Sequence, residues 1–193
     1  MGTRNLTMVI DRKGEIKVAQ YGQWDGYPAG QGATVLEFAK DKEKMAKLEK
    51  ELENVKFWNK CDDIKQYIED YDNRCIKWDE ETQKMLPDNR TEEDFYWFEN
   101  TQTRDLGGKI LDSIINIEKT ALPKEHNGII YLRDESNFMK DSIFCEWSYC
   151  IDLQVNKLKC YINGDNLIKE YDLDDLPTEA QFIAELEKEE SDD

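Results

Sequence analysis

Histidine is nearly absent from this chain: there is one, His126, in 193 residues. A Ser–His or Cys–His catalytic pair would have to be built on that single imidazole. It sits in the turn-like run Lys124-Glu125-His126-Asn127-Gly128, and no nucleophile motif accompanies it. Positive charge is also short, with 26 Lys and Arg against 43 Asp and Glu, a formal net charge of −17. Direct binding of a nucleic-acid backbone needs a basic footprint and is excluded on that ground. Association with basic surfaces, including the nucleic-acid-binding groove of another protein, is left open.

Other absences narrow the field further. No apolar run approaches the roughly 20 residues that cross a bilayer. No basic-then-apolar leader opens the chain, and Leu6 stands where a myristoylation pattern needs Ser or Thr. The expectation is a cytoplasmic protein with no membrane partner. Gly22, Gly26, Gly30 and Gly32 follow neither a P-loop nor a dinucleotide-binding spacing. Five cysteines, Cys61, Cys75, Cys145, Cys150 and Cys160, form no CxxC pair. They read as reduced, mostly buried thiols. The acidic pairs Asp62-Asp63, Asp174-Asp175 and Asp192-Asp193 read as solvated, so neither metal nor cofactor is expected.

What stands out is residues 20–32, QYGQWDGYPAGQG. These thirteen positions hold four glycines, one proline, three aromatics, three glutamines and one aspartate. Glycine admits close approach and positive φ, and proline fixes φ. A loop of this composition is shaped, and it sets Tyr21, Trp24 and Tyr27 beside Gln20, Gln23, Asp25 and Gln31. Two readings are open. In one, Trp24 and Tyr27 plug the core and the glycines permit tight turns. In the other, Arg4, Gln23, Asp25 and Gln31 line a small polar pocket with an aromatic wall, and Asp25 holds Arg4 or orients a ligand.

The flanking chain reads as α+β. Residues 5–10 alternate, Asp11-Arg12-Lys13-Gly14 turns, and 15–21 continue extended, which predicts a β-hairpin. From Ala33 the period changes to three and four through Val35, Phe38, Met45, Leu48, Leu52 and Val55, an amphipathic helix broken near Lys40-Asp41. Further helices are predicted over 62–78, over the aromatic run 95–98 and over 110–117. Strands return at 128–132, 143–153, 157–162 and 166–171. Thr178 and Gln181 form a capping pair opening a last helix. The tail 187–193 is acidic and expected to fray. The whole chain, 1–193, reads as one domain with a helical, insertion-like middle at 40–124. Its predicted core is antiparallel sheet, from the N-terminal hairpin and a C-terminal meander, packed with the central helical segment.

Two resemblances bear on function. Gly2-Thr3-Arg4-Asn5-Leu6-Thr7, followed by Gln20-Tyr21-Gly22-Gln23-Trp24-Asp25-Gly26-Tyr27-Pro28 and Gly30-Gln31-Gly32, resembles a protein family of bacteriophage and prophage genomes. The run Glu146-Trp147-Ser148-Tyr149 and the run Tyr171-Asp172-Leu173-Asp174-Asp175-Leu176-Pro177 resemble it too. This similarity covers both ends of the chain and implies a phage setting and a shared fold rather than a reaction. Thr3-Arg4 and Asp25 also resemble the opening hairpin of N-terminal nucleophile hydrolases of the bile-salt-hydrolase and penicillin-acylase kind. That resemblance implies an αββα sandwich. The hydrolase mechanism, however, needs Cys, Ser or Thr as the first residue of the mature chain, and Gly2 follows Met1 here.

The expectation drawn from these features is a small acidic phage-type protein of the host cytoplasm. It would bind and inhibit a host protein, such as a basic nucleic-acid-binding effector of a CRISPR system. The alternative is an N-terminal-nucleophile-type amide hydrolase, or a binder of a small ligand or nucleotide at the end of the hairpin. The residues expected to bind ligand or partner are Arg4, Gln20, Tyr21, Gln23, Trp24, Asp25, Tyr27 and Gln31.

Overall fold

The computed structural model describes residues 2–60, 78–79, 84–85, 106–116 and 128–192. The alternating run at the start forms β1 (Asn5–Ile10), paired antiparallel with β2 (Ile16–Gly22). A wide five-residue turn, Pro28–Gly32, leads into α1 (Ala33–Lys40) and then α2 (Lys42–Glu51). The expected break falls at Asp41, whose extended backbone ends α1. Its carboxylate accepts from Glu43 N and Lys44 N at 3.0 Å each, capping α2.

Val55 leaves the helical pattern for β3 (Val55–Phe57). The short strands β4 (Trp78–Asp79) and β5 (Lys84–Met85) pair with each other, so Trp78 is extended, and the rest of the helix expected over 62–78 lies outside the described residues. So does the aromatic run 95–98. Next come α3 (Ile110–Asn116) and β6 (Ile130–Leu132), the latter parallel to β3. The meander follows as β7 (Trp147–Asp152), β8 (Lys157–Ile162) and β9 (Asn166–Asp172). The chain closes on α4 (Glu179–Asp192). Thr178 N donates to Gln181 Oε1 at 3.0 Å and Gln181 N to Thr178 Oγ1 at 3.3 Å, the predicted capping pair. The helix runs through most of the acidic tail expected to fray, because Glu and Lys are good helix formers.

The fold is α+β, with one five-stranded sheet in the order β2-β1-β7-β8-β9. Hairpin and meander are each antiparallel, but they join through a parallel pair, β1 on β7, from Asn5↔Trp147 to Ile10↔Asp152. The sheet is therefore mixed where a wholly antiparallel one was predicted. The reason is that either pairing sense buries the same alternating faces, so residue pattern alone does not choose between them.

Both faces of the central strands are buried, as the burial of nearly all of β1 and all of β7 requires. One face carries Val9, Val18, Trp147, Tyr149, Ile151, Leu158 and Cys160 against Val35, Leu36, Phe38, Leu48, Ile110, Ile114, Phe182 and Leu186 of the four helices. The other carries Leu6, Met8, Ala19 and Cys150 under Phe57, Phe138 and Met139. Among the described residues, this second cover is a helical turn at Ser136–Lys140 together with Phe57, which ends β3 of the small two-stranded β3–β6 sheet. The αββα layering implied by the hydrolase resemblance is not seen there.

Candidate functional site

The parallel join places three chain segments at one end of the sheet. These are the run into β1 (Gly2, Thr3, Arg4), the run out of β2 (from Gln23 to Tyr27) and the run into β7 (from Ile143 to Glu146). The turn between β8 and β9 shares this end, tied on by Asn163 N to Glu146 O at 3.1 Å and Gly164 N to Cys145 O at 2.7 Å. Five strands at about 4.8 Å spacing make this end roughly 19 Å wide.

The loop leaving β2 is held rigidly. Gly26 N donates to Thr3 O at 2.9 Å, Gln31 N to Asp25 O at 2.7 Å and Gly30 N to Tyr27 O at 2.9 Å. Asn5 Nδ2 donates to Gly22 O at 3.2 Å and Trp24 O at 3.3 Å. From the core below, the buried Tyr149 hydroxyl donates to Gly26 O at 2.8 Å. Gly30 is required by close approach, since a Cβ there would sit 2.2 Å from Asp25 O. The left-handed residue of the loop is not a glycine but Asp25, at φ 56°. Aspartate tolerates that conformation better than most residues.

The expected polar pocket does not assemble, because its members turn in four directions. The Arg4 guanidinium lies over the Phe144 ring, 4.5 Å from its centroid. Gln23 Oε1 accepts from the Tyr21 hydroxyl. Asp25 Oδ1 accepts from the Tyr27 hydroxyl at 3.3 Å. Gln31 Oε1 accepts from Gly108 N at 2.7 Å, fastening the loop to the residues before α3. Gln20 and Tyr21 are buried: Gln20 Nε2 donates to Tyr21 O at 3.0 Å, and the Tyr21 ring meets Phe138 edge-on at 4.8 Å.

Nor do the aromatics plug the core. Trp24 is 54% exposed and Tyr27 44%. Gly2 packs against the Trp24 indole so closely that a Cβ would meet Cε3 at 2.1 Å. Of the seven large apolar side chains exposed among the described residues, five stand at this end of the sheet: Trp24, Tyr27, Ile143, Phe144 and Leu167. Ile143 and Phe144 were read from sequence as strand. The Asp141 carboxylate instead captures Ile143 N at 3.2 Å and Phe144 N at 3.0 Å, holding a turn that delays β7 to Trp147. An aspartate two residues ahead of an apolar pair was the available signal.

Candidate chemistry elsewhere is sparse. Cys150 belongs to the face under Phe138 and Cys160 to the opposite, helix-covered face, so these thiols cannot converge with Cys145 on one ion, and His126 lies outside the described residues. Among the described residues, no three His, Cys, Asp or Glu side chains gather to hold a metal. Burial pushes the Cys145 thiol up to about 11 and Cys150 to about 12, with Cys160 raised further. All three are protonated and unreactive at neutral pH. At the opposite end of the sheet, a cleft of about 510 Å³ lies between the hairpin turn and α2, lined by Asp11, Arg12, Lys17, Glu49 and Glu53. Its charges are largely paired internally, Arg12 with Glu49 and Lys17 with Asp11.

No helix among the described residues is long and apolar enough to cross a membrane. No family model matches the chain, and neither a curated protein nor a solved structure matches it.

Proposed function

We propose that this protein acts by binding rather than by catalysis, as a phage-type inhibitor that covers a basic, nucleic-acid-binding surface of a host protein. The carrying observation is the concentration of Trp24, Tyr27, Ile143, Phe144 and Leu167, exposed, at one end of the sheet. Apolar side chains scattered singly need no explanation, but several exposed along one end of a sheet mark a contact surface, and Trp and Tyr buried on association are the usual energetic anchors of one. The segments meeting at this end are mainly acidic, with Asp25, Asp141, Glu146 and Asp165 against Arg4 and Lys140, on a chain of net charge −17. Such a surface suits a basic partner and steers association with it. The phage-family resemblance of both chain ends supplies the setting, a host cell in which a defence nuclease is the target.

The test is affinity capture from host lysate with the wild-type protein and with Trp24→Ala/Phe144→Ala side by side. The expected result is a basic nucleic-acid-binding protein retained by the wild type and lost by the variant, whose circular dichroism is unchanged. Identical eluates from the two would remove the strand-end surface from the account.

A further inference from the structure

We infer that Asp25, set between Trp24 and Tyr27, is the receiving site for an arginine side chain of the partner. This rests on the reading that the strand end is the contact surface, and it names the chemistry of recognition there.

Three observations carry it. First, Asp25 has no cationic partner: among the described residues its carboxylate takes only the Tyr27 hydroxyl, on Oδ1, leaving Oδ2 uncommitted. Second, two half-exposed rings share its loop: Trp24 immediately before it and Tyr27 one residue beyond Gly26. The loop beneath them is bonded to Thr3 O, to Gly26 O from Tyr149 and back onto Asp25 O from Gln31 N, so the rings and the carboxylate are presented on a rigid base. Third, the same end of the molecule already contains one guanidinium lying on a ring, Arg4 over Phe144.

A carboxylate with exposed aromatic residues close by in the same rigid loop suits arginine better than lysine. The guanidinium is planar and weakly hydrated, so it can stack on a ring and still turn its fork of N–H donors to a carboxylate. An ammonium is a compact, strongly hydrated point charge and gains less from the ring. Nucleic-acid-binding faces are rich in arginine because the same fork grips phosphate. In this arrangement Asp25 stands in for one phosphate of the displaced backbone, and Trp24 and Tyr27 take the place of the bases.

The test uses N-acetylarginine amide as probe, with N-acetylcitrulline amide as its uncharged counterpart and N-acetyllysine amide as the competing cation. The readout is the Trp24 indole N–H resonance, identified by its absence in Trp24→Phe. Arginine is expected to move it saturably, citrulline not at all, and lysine at higher concentration. Asp25→Asn should weaken arginine binding roughly two- to fivefold, the size of an exposed ion pair. Equal response to arginine and citrulline, equal affinity for arginine and lysine, or undiminished arginine binding by Asp25→Asn each overturns the assignment. If the probe fails while partner capture still depends on Trp24 and Phe144, the arginine site falls and the contact surface stands. If capture is indifferent to those residues while the probe binds, the contact surface falls and with it the assignment to a partner's arginine, leaving Asp25 a site for free arginine only.

Discussion

The Tyr149 hydroxyl reaches out of the core to the carbonyl of Gly26, 2.8 Å away and 123 residues earlier in the chain. Tyr149 is fully buried, stacked parallel to Trp147 at 6.1 Å and tilted against Phe182 at 6.4 Å. One bond thus ties the exposed loop to the best-packed strand. Tyr149→Phe should keep the fold, lower stability by about 1 kcal/mol, and raise the mobility of the loop, seen as faster amide hydrogen exchange from Gln23 to Tyr27. Unchanged exchange there would mean that the loop is held by its other bonds, to Thr3 and Asn5 and within its own backbone, without Tyr149.

Gly30 makes a sharper test of the loop's shape. A methyl group at this position would meet the backbone oxygen of Asp25 at 2.2 Å, an obstacle that no rotamer change relieves. Gly30→Ala should destabilise by about 1–3 kcal/mol, the usual range for overpacking. It should also shift the Trp24 indole resonance, because Asp25 must move. Thermal unfolding and the indole spectrum measure the two effects separately.

Two buried polar atoms on the helix-covered face of β1, Asn5 Oδ1 and Thr7 Oγ1, have no hydrogen-bond partner among the described residues. An isosteric apolar replacement of such a hydroxyl is close to neutral or stabilising. Thr7→Val is expected to leave the melting temperature unchanged or raise it. Asn5→Ala, which frees the carbonyls of Gly22 and Trp24, should cost about 1–3 kcal/mol. Denaturant titration of both variants gives the comparison.

The buried thiols make a chemical prediction. Desolvation raises Cys145 to about 11 and Cys150 to about 12, so at pH 8 thiolate is scarce at both and access is closed. Alkylation followed by peptide mass mapping should leave Cys145, Cys150 and Cys160 unmodified in the native protein and modify all three in denaturant. Fast native labelling of any of them would contradict their placement in the core.

Much of the fold was legible because local physics writes it locally. Alternation announced the hairpin and the meander, Asp41 marked the helix break, and Thr178 with Gln181 marked the start of α4. The parallel pairing of β1 on β7 was not legible, since it is a choice between partners far apart in the chain. Val55 shows the same limit: its spacing continues a helix, and only pairing with Ile130 makes it strand. The site was half legible. Composition singled out Trp24, Asp25 and Tyr27, but adjacency in sequence suggested a shared pocket with Arg4, Gln23 and Gln31 that the rigid loop splays apart. Phe144 and Leu167 entered only once the sheet order brought distant turns together.

The central claim is that this surface occupies the place of nucleic acid on its partner, and competition tests it most directly. With the captured partner purified, a labelled duplex bound to it should be displaced by wild-type protein at moderate salt. Displacement should weaken steeply as salt rises and should be lost with Trp24→Ala/Phe144→Ala. A ternary complex in which partner, duplex and this protein coexist at saturation would contradict the account.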